Sequence, residues 1–199
     1  MTPIVKGITA VVRYNAGNIQ SVRFALGRLG VDPVVTDDPA ILRSADRVIF
    51  PGVGEASTAM RYLRERGLDR VILGLEQPVL GICLGLQLLC GHSEENDTAC
   101  LGLFDETVRR FPPIEKVPHM GWNSITGLAG PLFLGVQEGS HVYFVHGYYA
   151  TTGAQTVATG HYMVPFSAAL AHENVHAVQF HPEKSGEVGA TILRNFLNL

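Results

Sequence analysis

The 199-residue sequence holds only three cysteines, Cys83, Cys90 and Cys100, an odd number without a C-x-x-C pair. A disulfide framework and a cysteine-based zinc site are therefore not expected, and a reducing cytoplasm is the simplest home. Charge is sparse at 17% of residues, and 15 Lys+Arg against 18 Asp+Glu leave a net charge of −3. Nothing in that balance draws nucleic acid or an anionic membrane, so neither is expected as a partner. No apolar run approaches the about 20 residues that a membrane helix requires. The opening stretch, Met1-Thr2-Pro3-Ile4-Val5-Lys6, lacks the basic region, apolar run and small-residue cleavage site of a secretory signal. Repeats, low-complexity tracts and linkers are missing too. With 46% hydrophobic residues, one α/β domain over residues 1–199 with a sizeable core is expected.

What the chain does contain is an alternation of short apolar strands and helices. Residues 8–14 read as a strand, followed by the turn Asn15-Ala16-Gly17-Asn18. Asn18 suits the N-cap of a helix whose apolar positions Ile19, Val22, Leu26 and Leu29 recur at helical spacing. Gly30 stands where a helix end prefers glycine. Further strands are expected at 33–36, 48–50 and 78–82, with helices starting at Asp38-Pro39 and spanning 55–66 and 84–90. Strands apolar throughout and separated by helices imply a parallel sheet covered on both faces. The second half reads differently, with strands at 142–149, 156–163, 167–171 and 175–180 joined by short connections. These form an antiparallel extension before a closing helix at 187–197.

The segment Gly81-Ile82-Cys83-Leu84-Gly85-Leu86-Gln87 places G-x-C-x-G between a buried strand and a helix. That is the nucleophile-elbow pattern, with cysteine where serine is often found. Side chains at Gly81 or Gly85 would collide with neighbouring backbone in so sharp a turn. The sulfur would sit at a helix N-terminus, whose partial positive charge favours an anion, and the Leu84 N–H would face a developing oxyanion. A buried, inert cysteine fits the same five residues, as Cys90 and Cys100 illustrate. A nucleophile needs a base, and the base an orienting group. Phe180-His181-Pro182-Glu183, after the last strand, supplies both, with a proline restricting the turn that carries them. His181 would be general base and Glu183 its carboxylate partner. The other seven histidines lack this setting and show no metal-ligand spacing on an evident helix, so no metal or cofactor is expected.

Together these segments resemble the class I (triad) glutamine amidotransferases, and within them the glutaminase subunits of imidazole glycerol phosphate synthases of histidine biosynthesis. Gly81 to Gln87 and Phe180 to Glu183 carry the wider resemblance. Pro51-Gly52-Val53-Gly54, Lys116-Val117-Pro118-His119-Met120-Gly121-Trp122-Asn123 and Tyr143-Phe144-Val145-His146 carry the narrower one. The resemblance implies a three-layer, flavodoxin-like fold and hydrolysis of L-glutamine by Cys83, His181 and Glu183. It implies an oxyanion hole from Leu84 and the Gly52–Val53 peptide, and substrate contacts from Gln87, Tyr143, Gly147 and Tyr148. It also implies a (β/α)8-barrel cyclase partner that receives the ammonia through a channel, with Asn18, Trp122 and Lys184 as interface candidates. For Trp122 plain core packing is an equal reading. The sequence departs from the family's usual residues at Asn15, where glycine is common, and at Gly147, where Ser or Thr is. The glutaminase of pyridoxal phosphate synthase, a redox-reactive flavodoxin-like sensor or chaperone, and a catalytically dead binding subunit are the competing readings.

Overall fold

The computed structural model describes residues 6–15 and 18–199. Ala16 and Gly17, within the turn read ahead of the first helix, lie outside the described residues, as does the segment 1–5.

The first strand β1 (Thr9–Val12) is wholly buried, as a central parallel strand must be. Helix α1 (Ile19–Arg28) starts at Asn18, whose side chain accepts from the Ser21 hydroxyl and caps no backbone N–H. Gly30, at φ +82°, closes that helix in the left-handed region. Strand β2 (Val34–Thr36) leads to α2 (Pro39–Ser44), where the Asp38 carboxylate does cap, accepting from the Ala40 N–H. There follow β3 (Arg47–Gly52), α3 (Ala56–Glu65), α4 (Leu68–Leu73), β4 (Val79–Cys83) and α5 (Leu84–Leu89). The later strands include β11 (Thr156–Tyr162), β12 (Val164–His172) and β13 (Val175–Val178), and α6 (Gly186–Phe196) closes the chain.

Among the described residues the main sheet has the order β11-β12-β13-β4-β3-β1-β2. Its members from β13 to β2 pair in parallel, and β12 and β11 extend it antiparallel. Alternation along the strands divides the core in two. Ala10, Val12, Val48, Phe50 and Val79 pack beneath α2, α3, α4 and α5. Val11, Ile49, Leu80, Ile82 and Val178 pack beneath α1 and α6 on the opposite face. The result is the three-layer α/β arrangement expected. No helix among the described residues is long and apolar enough to cross a membrane.

Between α5 and β11 the structure differs from the sequence reading. The chain builds β5 (Cys90–Ser93), β6 (Thr98–Ala99), β7 (Phe104–Arg110), β8 (His119–Ser124), β9 (His141–His146) and β10 (Tyr148–Ala150). The strand expected at 142–149 is thus two, broken at Gly147: β9 pairs with β8, while β10 crosses to β7 in a second sheet. Strand β7 is masked in sequence because Glu106 occupies one of its buried positions, spoiling the apolar alternation. Helix α4 is only six residues long, too short to display a period. Strand β12 begins before Pro165, which its neighbour tolerates because β13 pairs only with Ala169 to His172. Pro51 and Gly52, read as a turn, instead extend β3 to the level of Cys83.

Candidate active site

Strands β3, β4 and β13 end side by side, and the chemistry-bearing residues gather beyond their C-terminal ends, where sites form in open parallel sheets. Cys83 closes β4 with φ 55° and ψ −108°, and α5 begins at the next residue. A non-glycine residue held there is strained, and strain of this kind collects at functional sites. The glycines around it answer to contacts. A Cβ on Gly85 would run into the Phe50 carbonyl of β3, and one on Gly81 would meet Leu89 Cδ1 at 2.7 Å. Gly85→Ala is therefore expected to destabilise the fold by about 3 kcal/mol, the upper end of the usual overpacking cost, since the obstruction is backbone. A urea midpoint within experimental scatter of the parent would refute that.

The Cys83 sulfur is almost fully buried. The Gln179 side-chain amide donates to it at 3.7 Å, and its thiol donates to the Val145 carbonyl at 3.8 Å. His181 Nδ1 donates to Glu183 Oε1 at 2.8 Å, with both side chains shielded from solvent. His181 Nε2 makes no hydrogen bond, which leaves it open toward a reacting group. Burial pushes the imidazole's pKa down, but the Cys83 sulfur and the Glu183 carboxylate more than offset it and raise it to about 10. The shift favours the imidazolium form of His181. Its backbone is anchored as well, the His181 N–H donating to the Tyr143 carbonyl at 2.9 Å.

A cleft of about 310 Å³ opens onto the sulfur, at the small end for a ligand pocket. Val53, Gly54 and Leu84 form one side, and Val145, His146, Gly147 and Tyr148 the other. Gln87, Glu95 and Pro118 complete it. The Tyr148 carbonyl is held by two donors, Gln87 Nε2 at 2.9 Å and His146 Nδ1 at 2.8 Å. Because a carbonyl only accepts, His146 must carry its proton on Nδ1, and its Nε2 then accepts from His119 Nδ1 at 3.0 Å. His119 is sandwiched between Tyr162 and Phe144, with ring centroids 4.1 and 5.1 Å away. Burial lowers both imidazoles, His119 to about 4 and His146 to about 3, which fits this neutral chain of donors.

The sequence-predicted residues do not all converge. Cys83, His181 and Glu183 come together, and Val53, Leu84, Gln87, Gly147 and Tyr148 line or border the cleft. Gly52 lies beside Cys83 in the sheet register. The Tyr143 ring points elsewhere, 6.1 Å from Trp122 and 5.8 Å from the Lys184 ammonium. Trp122 is 57% exposed, which removes core packing as its role. Asn18 stands at the head of α1, which packs against the 182–184 turn. Gln179, Glu95 and Tyr14 were not singled out from the sequence. Gln179 lies within the strand-to-His181 segment and could have been found there. Glu95 has no such signal: it reaches the cleft by accepting the Ala56 N–H at 2.7 Å from a loop. Among the described residues no group of three or more His, Cys, Asp or Glu is placed to hold a metal ion.

Residues 12–199 match the family model described as glutamine amidotransferase class-I. The chain belongs to the class-I glutamine amidotransferases. It is 58% identical to the imidazole glycerol phosphate synthase subunit HisH of Bacteroides fragilis over 193 residues, 96% of this chain and 98% of that protein. Against the HisH subunit of Shewanella loihica the identity is 46%, over 96% of this chain and 90% of that one. In fold it is similar to PurLQS from Thermotoga maritima, with a TM-score of 0.73 at 20% identity, covering 98% of this chain and 99% of that one. A solved glutamine amidotransferase gives a TM-score of 0.74 at 20% identity, covering 96% and 97%. The chain is thus a glutamine amidotransferase subunit with the three-layer architecture of its family.

Proposed function

We propose that this amidotransferase chain is the glutaminase subunit of an imidazole glycerol phosphate synthase, acting in the cytoplasm and hydrolysing L-glutamine to L-glutamate and ammonia. The observation that carries the reading is Cys83 at a strained strand-to-helix turn beside the buried His181–Glu183 pair. The Cys83 thiolate attacks the side-chain amide carbon, and the amide oxygen takes up negative charge. The N–H groups of Leu84 and Val53 receive that charge. Collapse of the tetrahedral adduct breaks the C–N bond, and the His181 imidazolium gives its proton to the leaving nitrogen, releasing ammonia. Water then attacks the glutamyl thioester, His181 takes its proton, and glutamate leaves with the thiol restored. Glu183 holds the imidazole in orientation throughout.

At the cleft, Gln87, Gly147 and Tyr148 would hold the glutamine amide and chain. Glu95 would meet the substrate's α-ammonium, a cation that suits a half-buried carboxylate at the mouth. Burial raises the Glu95 pKa, the Ala56 N–H lowers it and Glu55 raises it further, and an incoming ammonium would relieve that tension. The Tyr143 ring belongs with the partner-facing group rather than with substrate. Exposed Trp122 and Lys184, with Asn18, would face a cyclase subunit of (β/α)8-barrel form, which takes the ammonia before it can protonate and escape. That cyclase would make imidazole glycerol phosphate and the aminoimidazole carboxamide ribonucleotide in L-histidine biosynthesis.

Glutamate release from glutamine tests the reading, measured with and without a cyclase subunit and its nucleotide substrate. Turnover is expected to be weak for the chain alone and to rise at least about tenfold when both are added. An absent response to cyclase and nucleotide, with Cys83 still alkylated by a glutamine-like electrophile, would leave a glutaminase with a different partner.

A further inference from the structure

Seven buried side-chain polar atoms among the described residues lack a hydrogen-bond partner, and three of them cluster here. His181 Nε2 and Glu183 Oε2 belong to the catalytic pair, so an open valence there is part of the chemistry. The third is the Tyr14 hydroxyl. Tyr14 follows the end of β1, is 6% exposed, and has its ring held against Phe50 at a centroid distance of 5.3 Å. Its hydroxyl stands against Gly52, so close that a Cβ on Gly52 would collide with it; the same Cβ would meet Leu84 Cβ at 2.8 Å. Burial, and then the nearby Cys83 sulfur, push the phenol's pKa well above its usual value. The group is thus a neutral O–H, never a phenolate, throughout the working pH range.

A buried hydroxyl without a partner needs a reason, because phenylalanine would fill the same space and bury nothing unsatisfied. The surroundings supply one. Tyr14 lies just beyond β1 and Gly52 ends β3, the strands flanking the point where the sheet order reverses. Gly52 begins the Gly52–Val53 peptide, whose rotation turns on ψ of Gly52, a residue without a Cβ to restrict it, and Val53 lines the cleft.

We propose that Tyr14 is a positioning residue for the oxyanion hole, its hydroxyl donating to the Gly52–Val53 peptide carbonyl when that peptide turns its N–H toward the reacting amide oxygen. The inference rests on the reading of Cys83 as the glutaminase nucleophile. In the arrangement described here the hydroxyl is idle. Its hydrogen bond forms only in the arrangement that stabilises the transition state, so it acts on turnover and not on substrate capture.

The test is Tyr14→Phe in the full chain, assayed for glutamine hydrolysis with the cyclase subunit and its nucleotide present. A fall in kcat of about tenfold or more is expected, with KM for glutamine unchanged within about twofold. The melting temperature should be equal to or higher than the parent's, because an unsatisfied group has been removed. Cys83 should be labelled to completion by a glutamine-like electrophile in both proteins. Undiminished kcat in a fully labelled variant overturns this proposal alone, as does a fall in kcat that comes with a lowered melting temperature. If Cys83 of the parent is not labelled, the glutaminase reading fails and takes this proposal with it.

Discussion

Replacing Cys83 with alanine is expected to cut glutamine-driven turnover by at least about a thousandfold, the loss seen when a nucleophile is removed from a triad. The same variant, mixed with the cyclase subunit and an ammonium salt, should make product at the parent's rate. The split follows from chemistry done in two places: Cys83 liberates the nitrogen but takes no part in using it. Alanine also removes the contact that Gln179 and Val145 make with the sulfur, and it must still adopt φ 55°. An unchanged melting temperature and retained binding to the cyclase subunit are therefore the controls that the fold survives. Glutamine-dependent turnover persisting in the variant would sink the assignment of the nucleophile.

Glu183→Gln should act through the proton on His181. The carboxylate is one of two groups that raise this imidazole to about 10 against the downward pull of burial. Glutamine keeps the shape but removes the charge, and it can present an N–H where an acceptor is required. In the proposed mechanism the imidazolium is the acid toward the leaving nitrogen, so the alkaline limb of kcat/KM is expected to follow loss of that proton. The limb should move to lower pH by about one unit or more, with kcat down by about 10²-fold or more. The stability consequence has the same sign. A histidine raised in the folded state adds stability that is full below about 6.5 and is lost as pH climbs through about 10. The variant should therefore melt lower than the parent at pH 6, with the gap narrowing toward pH 10. An alkaline limb at the parent's pH would show that Glu183 does not set the His181 proton.

Cys83, His181 and Glu183 are legible as candidates in the sequence because the chemistry proposed for them demands unusual backbone. Only a sharp turn with glycines at 81 and 85 lets Cys83 face the cleft, and a proline beside His181 announces a rigid turn after a strand. The parallel half of the sheet is equally legible, since strands buried on both faces are apolar from end to end. The region between Cys90 and Ser124 is not. Its strands are short or half-exposed, Glu106 holds an inward position in β7, and His119 earns its burial by stacking rather than by being apolar. Contacts that join distant segments are hidden for the same reason. Gln179 reaches a sulfur 96 residues away, and Glu95 a helix start 39 residues away. No local pattern announces Glu95, and Gln179 is marked only by its place in the segment that leads to His181. Trp122 shows the reverse failure: a large aromatic in a conspicuous motif that only the three-dimensional surroundings reveal to be on the surface.

The chain from His119 through His146 to the Tyr148 carbonyl has a direction, and the direction cannot be reversed. Each ring has one nitrogen spent as donor, and a proton added to His146 Nε2 would set it head-on against the donor of His119. That makes the pair a poor place for a wandering proton. The two imidazoles of this pair lie at about 4 and about 3, and His146 in turn feels the charge of His181, which is raised to about 10. With His119 and His146 committed to their neighbours, His181 is the one ring of the three whose pKa is raised rather than lowered, which suits the proton role proposed for it.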